Sequence, residues 1–403
     1  MSVAAIRLLI SMGFASLGGW IYFIALNLII FNETGSAAAV AALYMIRPVS
    51  ALLTTFWGGS LVDRVSKKRL LLSLFIGQSI LVIGVAFSIE YIWICYVLVF
   101  FLQMLSSLYE PAMLTFTAEM IPDHKMQRFN SIRSLLDSGA FLLGPAVAGV
   151  ILMAGSPMLA IYMNACALAV AAVLIAFIKE KGKKSVSIPS FSIKTDLVAD
   201  WKLALSFRYD QPVVAIAYFL FTGFVVMQTA VDSLEVSFSK EVLLLSDSDY
   251  GFLVSVAGAG ILIGSVINLY GADRFNIRTM IQAGAVMTAV GYMIFATSNH
   301  FIVACLGVFI IGLALSFANT GFLTYIQTHI PVDRMGRVSS LFDFIGALGI
   351  VMITALFAYS AEFISIRMTV LTGSMVMLLI TILLGRTQSE TGFSGAVKIK
   401  SGV

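Results

Sequence analysis

Apolar residues run along this chain in stretches long enough to cross the hydrocarbon core of a bilayer as α-helix, and short hydrophilic turns separate them. Twelve stretches can be counted, near residues 6–30, 37–61, 69–88, 92–117, 130–154, 158–178, 211–237, 250–270, 278–297, 301–325, 338–359 and 364–384. A backbone inside lipid must satisfy its own N–H and C=O groups, and a helix does this within each segment. The pattern therefore predicts an all-α membrane protein with 12 transmembrane helices. Glycine pairs at helix-contact spacing, such as Gly260 and Gly264, predict close helix packing. The first stretch follows Arg7 closely, is too long for a signal-peptide core and lacks a small-residue cleavage site, so it is expected to stay as a helix.

Composition agrees: the 403 residues are 60% hydrophobic and only 11% charged, against roughly 25% charged in soluble domains. The distribution of charge adds an orientation. Of the 25 Lys and Arg, only Arg47, Lys240 and Arg367 fall clearly inside a span or in a loop on the opposite side. The rest gather at the N-terminus, in the loops after spans 2, 4, 6, 8 and 10, in the C-terminal tail, or close to those ends. Basic loops stay on the cytoplasmic side, so both termini are expected there, in a multi-pass protein of the cell membrane. This scatter of charge serves topology and offers no nucleic-acid surface. Cys95, Cys166 and Cys305 lie far apart in apolar stretches, without the spacing of a disulfide framework or metal site. There is no phosphate-binding loop and no nucleophile–base pair, so no cofactor, metal or enzymatic activity is expected. A monomer in the lipid bilayer is the expected state.

The largest hydrophilic segment, 179–210, divides the spans six and six. It opens on a basic run and continues in an amphipathic stretch at 197–203, suited to the inner membrane surface. The expected organisation is a six-helix half over 1–178, a cytoplasmic linker over 179–210, a second half over 211–385 and a cytoplasmic tail over 386–403. The halves repeat. Ile121-Pro122-Asp123-His124-Lys125-Met126-Gln127-Arg128 matches Ile330-Pro331-Val332-Asp333-Arg334-Met335-Gly336-Arg337 at an offset of 209, and Asp63-Arg64 matches Asp273-Arg274 at 210. Six is even, so both halves enter the membrane in the same sense, as in parallel-repeat transporters whose substrate site lies between the halves near the midplane.

The turn at 59–69 places Gly59, Leu61, Asp63, Arg64, Lys67 and Lys68 in the order Gly-x-Leu-x-Asp-Arg-x-x-Arg/Lys-Arg/Lys. With this motif the chain resembles the major facilitator superfamily over nearly its whole length. The resemblance implies a conformational gate made of Gly59, Asp63, Arg64, Lys67 and Lys68, with Asp63 stabilising the outward-open state at the start of span 11. A carboxylate near a helix N-terminus suits that role. The second copy keeps Asp273 and Arg274 but has Leu269 and Gly271 where the motif glycine and leucine stand, so the two gates are expected to be unequal. Gly139, Gly144-Pro145 and Gly149 in span 5 look like the antiporter motif Gly-x-x-x-Gly-Pro-x-x-Gly-Gly, with Ala140 and Ala148 in place of two glycines. Gly144, Pro145 and Gly149 would permit a bend and close helix contact. Together with Tyr109-Glu110-Pro111-Ala112, this is similar to the drug:proton antiporter branch that contains macrolide-efflux proteins. The arginine common in span 4 of proton-coupled relatives is replaced by Glu110.

A charge at the bilayer centre costs roughly 2.5–3.5 kcal/mol on insertion scales, so each one needs a reason. Arg47, Glu110, Asp137, Asp232, Glu235 and Asp343 fall on spans 2, 4, 5, 7 and 11 and avoid spans 3, 6, 9 and 12, peripheral in the superfamily it resembles. Glu110, Asp137 and Asp343 are the candidates for proton coupling. Arg47, Asn27, Gln103, Gln228, Asp232, Glu235 and Asn319 are candidates for substrate contact, with helix-to-helix hydrogen bonding the plainer role for the amides and the outer vestibule for Asp232 and Glu235. The expected function is a proton-coupled secondary transporter that exports amphipathic, cationic or neutral small molecules by alternating access. A dedicated exporter of one metabolite such as a siderophore, a lysolipid transporter, and a non-transporting membrane receptor or scaffold are the alternatives.

Overall fold

The computed structural model describes residues 2–153, 157–179, 209–271, 275–330 and 332–390. The linker from 180 to 208, Asp273 with Arg274 and the tail beyond 390 therefore lie outside the described residues, as do the side chains of Asp63 and Arg64. Twelve long helices follow one another: α1 (Val3–Thr34), α2 (Ala37–Arg64), α3 (Lys67–Phe87), α4 (Ile92–Met120), α5 (Asp123–Met153) and α6 (Pro157–Ala176). The second set is α7 (Pro212–Asp232), α8 (Asp247–Gly271), α9 (Ile277–Thr297), α10 (Phe301–His329), α11 (Val332–Phe363) and α12 (Ile366–Glu390). Eleven of the spans are long and apolar enough to cross a bilayer, and α5 carries a shorter apolar core at Leu135–Ile151. Local chemistry sets the helix ends. Gly35 ends α1 in the left-handed region at φ 58°, and Ser36, whose hydroxyl accepts from the Ala39 amide, starts α2 at once.

The expected span 211–237 differs in detail. Its helix stops at Asp232, turns through Ser233 and Leu234, and resumes as Glu235–Ser237 and a π-helical turn, Phe238–Val242.

Two six-helix bundles result, and their packing is the same list twice. In the first, α1 packs on α5 and α6, α3 on α4 and α6, and α2 on α4. Adding six to each label gives the second: α7 on α11 and α12, α9 on α10 and α12, α8 on α10. The bundles meet along α5–α8 and α2–α11, which the same rule exchanges. Gly264 brings α8 onto α10, since a Cβ there would lie 2.7 Å from the Leu313 carbonyl oxygen. Outward-facing apolar residues on α3, α6, α9 and α12, among them Ile80, Val173, Met287 and Leu379, form the lipid-facing belt of a multi-pass membrane protein.

Basic residues at the face where α1 begins and α12 ends contact neighbouring helix carbonyls. Lys67 donates to the Val62 carbonyl and, at 3.3 Å, to that of Val65, closing α2. Lys68 donates to the Ala176 carbonyl at 2.8 Å, and Arg7 to that of Phe177 at 2.7 Å, closing α6. One half further on, Arg278 reaches the Gly385 carbonyl of α12 at 3.5 Å. Cations at helix C-termini satisfy unpaired carbonyls and meet the negative end of the helix dipole. Lys68→Gln is expected to lower stability by about 0.5–1 kcal/mol, read as a lower melting temperature in detergent; an unchanged melt would remove any role for this cap in stability.

Candidate functional site

The first bundle encloses a cavity of about 340 Å³ lined by residues of α1 to α6. Its mouth lies toward the face with the termini, where Glu110 of α4 and Arg133 and Asp137 of α5 meet. Arg133 Nη2 bonds Glu110 Oε2 at 2.8 Å, and its Nε lies 3.6 Å from Asp137 Oδ2, one turn along the same helix. One guanidinium thus bridges two carboxylates from different helices. The side chains are 22% exposed for Arg133, 64% for Glu110 and 47% for Asp137, so water reaches this group. Arg47 of α2 also borders the cavity and has no hydrogen bond or ion pair among the described residues. An aromatic wall is made by Trp20, Phe23, Phe75 and Tyr109. Trp20 leans on α5 where Gly144 has no side chain to block its Cβ, and meets Phe141 edge-on at 4.4 Å.

Deeper in, Tyr22 of α1, Gln78 of α3 and Asn164 of α6 line the same cavity at 6%, 6% and 3% exposure. Tyr22 Oη, Gln78 Nε2 and Asn164 Oδ1 have no hydrogen-bond partner among the described residues. Leaving such a group unpaired costs about 1–3 kcal/mol. In the second bundle, aromatic rings of α7, α10 and α11 pack on one another. There, Tyr218 stacks on Phe342 at 4.1 Å and Phe221 on Phe322 at 3.7 Å.

Of the residues expected at the site, Arg47, Gln103, Glu110 and Asp137 come together in this cavity. Asn27, buried, donates to the Phe23 carbonyl at 2.8 Å and lies outside the lining. Asn319 of α10 and Asp343 of α11 are exposed and do not border it. Asp232 and Glu235 sit at the far end of α7, either side of the helix break. Asp232 accepts from Tyr292 Oη and, at 3.4 Å, from Gln228, so it is held between α7 and α9 and away from the cavity. Arg133, Trp20, Tyr22, Gln78 and Asn164 are additions from the structure. The spacing of Arg133 and Asp137 was a readable signal for the first, since residues four apart share a helix face.

The end opposite the termini is closed. Asn32, near the end of α1, donates to Asp247 at the start of α8 at 3.2 Å, and Lys240 pairs with the same carboxylate. Gly149 of α5 and Gly251 of α8 touch backbone to backbone; a Cβ on Gly251 would lie 2.7 Å from the Gly149 Cα. The short helix Glu235–Ser237 contacts α1 and α2 across the same gap. The molecule is therefore open on one face and sealed on the other.

Two bundles related by a six-helix shift, a cavity open to one side and a seal on the other coincide with a match of residues 8–354 to the Major Facilitator Superfamily. The chain belongs to that superfamily. Its members are transporters, and this chain is a secondary-active transporter of the same general kind. It is similar to the uncharacterized MFS-type transporter YfiS of Bacillus subtilis (strain 168), with 25% identity over 95% of this chain and 93% of that one. A D-xylose transporter of Levilactobacillus brevis shares 30% identity over 31% of this chain and 27% of its own length. The nucleoside transporter NupG has the same superfamily fold, with a TM-score of 0.75 at 12% identity, covering 96% of this chain and 99% of that one.

Proposed function

We propose that this superfamily member is a proton-coupled exporter of amphipathic small molecules, working by alternating access in the cell membrane with both termini cytoplasmic. The observation that carries the reading is the Glu110–Arg133–Asp137 group at the cavity mouth. A proton on either carboxylate ends its pairing with Arg133, and so does a cationic group on an entering molecule. The two ligands then compete for one set of charges, which is the linkage an exchanger needs. The aromatic wall of Trp20, Phe23, Phe75 and Tyr109 offers apolar contact beside those charges. With the termini in the cytoplasm, the open face looks inward, so the conformation is one that loads a molecule for export. The stretch Tyr109-Glu110-Pro111-Ala112 and the motif glycines of α5 support the antiporter branch, with Glu110 where proton-coupled relatives carry an arginine. Asp63, Arg64, Asp273 and Arg274 keep their proposed part as gates.

The test is transport of tetraphenylphosphonium in proteoliposomes under an imposed pH gradient. Wild-type protein is expected to move the cation against the proton gradient, and Glu110→Gln to move it independently of that gradient. Transport by the wild type that ignores the gradient would end the coupling claim.

A further inference from the structure

We propose, resting on the reading above, that Tyr22, Gln78 and Asn164 form a subsite for an uncharged hydroxyl- or amide-bearing part of the transported molecule. The three side chains reach one cavity from three helices and leave polar atoms unpaired there. They are not needed to join those helices. Directly beside them, Ser79 Oγ donates to the Ala165 carbonyl at 2.9 Å and ties α3 to α6. Space is kept for Asn164 by Gly18 on α1, where a Cβ would lie 2.8 Å from Asn164 Oδ1.

The second bundle provides an internal control. The offset of 210 that relates Asp63 to Asp273 carries Gln78 to Thr288, and the offset of 209 that relates 121–128 to 330–337 carries Asn164 to Gly373. The Thr288 hydroxyl is spent on its own helix, on the Gly284 carbonyl at 2.9 Å, and Gly373 has no side chain. The first bundle alone holds unspent hydrogen-bonding capacity at these positions. Its chemistry defines the occupant. A side-chain amide donates on one side and accepts on the other, and a phenol does both. A hydroxyl, carboxamide or imide satisfies both functions, whereas a carboxylate or ammonium uses only one. The charged residues of the mouth are left for another part of the molecule.

The experiment is thermal denaturation of the purified full-length protein with uridine, D-xylose or tetraphenylphosphonium added, since a molecule that binds only the folded state raises its melting temperature. Uridine or D-xylose is expected to stabilise the wild type saturably. Asn164→Leu and Gln78→Leu should each weaken that binding by about tenfold or more, and Tyr22→Phe, which removes a single oxygen, should weaken it in the same direction. The unliganded melting temperature of the leucine variants should stay level or rise, because an unpaired amide is replaced by an apolar group of similar size. The response to tetraphenylphosphonium should not change. The subsite is refuted if neither neutral solute stabilises the wild type, if wild type and variants bind them alike, or if the variants melt lower without ligand. A protein that binds tetraphenylphosphonium and neither neutral solute loses the subsite and keeps the proposed exchange.

Discussion

Arg133→Met will cut transport at least about tenfold while the protein still purifies as a folded bundle. The guanidinium is the shared partner of Glu110 and Asp137, at 2.8 and 3.6 Å. Without it two carboxylates border one cavity with no cation between them, and the exchange of a proton or a cationic group against Arg133 has no counterpart. Stability should move by no more than about 1 kcal/mol, because all three groups are open enough to water for solvent to screen the pair. Arg133→Lys keeps the charge and loses the planar fork that spans two acceptors, so an intermediate rate is expected. Initial rates in proteoliposomes decide the matter; Arg133→Met transporting at the wild-type rate would remove this group from the mechanism.

Gly251→Leu will open the sealed end. The new side chain would start 2.7 Å from the Gly149 Cα and 3.0 Å from the Pro145 carbonyl oxygen, and neither backbone atom can swing aside as a side chain does. The relief available is for α5 and α8 to separate at that end, which shifts the population toward the oppositely open conformation by an expected tenfold or about that. Spin labels at Glu33 and Glu241, on a background without native cysteines, report it as a longer inter-label distance. An unchanged distance distribution would show that this glycine contact does not hold the seal.

Much of the architecture could be read from the chain because lipid punishes exceptions. Every span needs a long apolar run, and every buried charge needs a reason, so the helices and the cavity members Arg47, Glu110 and Asp137 stood out. Neutral side chains carry no such penalty. Gln78 and Asn164 look like helix-to-helix glue in sequence, and only packing reveals that Gln78 Nε2 and Asn164 Oδ1 meet no partner among the described residues. Their spans, α3 and α6, carry none of the intramembrane charges and are peripheral in the superfamily the chain resembles. Arg133 was visible as the partner of Asp137 four residues on, but its link to Glu110 crosses between helices. The break in α7 was hidden for a related reason. Residues 211–237 read as one apolar run, while Asp232 is engaged by Tyr292 from a helix 60 residues away in sequence. Lys67 and Lys68 illustrate a third limit. The motif implies a part in a gate, whereas their described contacts are with the ends of α2 and α6.

Those contacts have a mechanical consequence. Lys68 at the start of α3 clamps the end of α6, and Arg278 at the start of α9 reaches the Gly385 carbonyl, five residues before the last residue of α12, so each bundle carries a contact across its outer helices. Strapped in this way, a bundle resists shear among its own helices and turns as one lever. The compliant parts of the molecule are then the two seams, α5 with α8 and α2 with α11, which act as the fulcrum on which the levers rock.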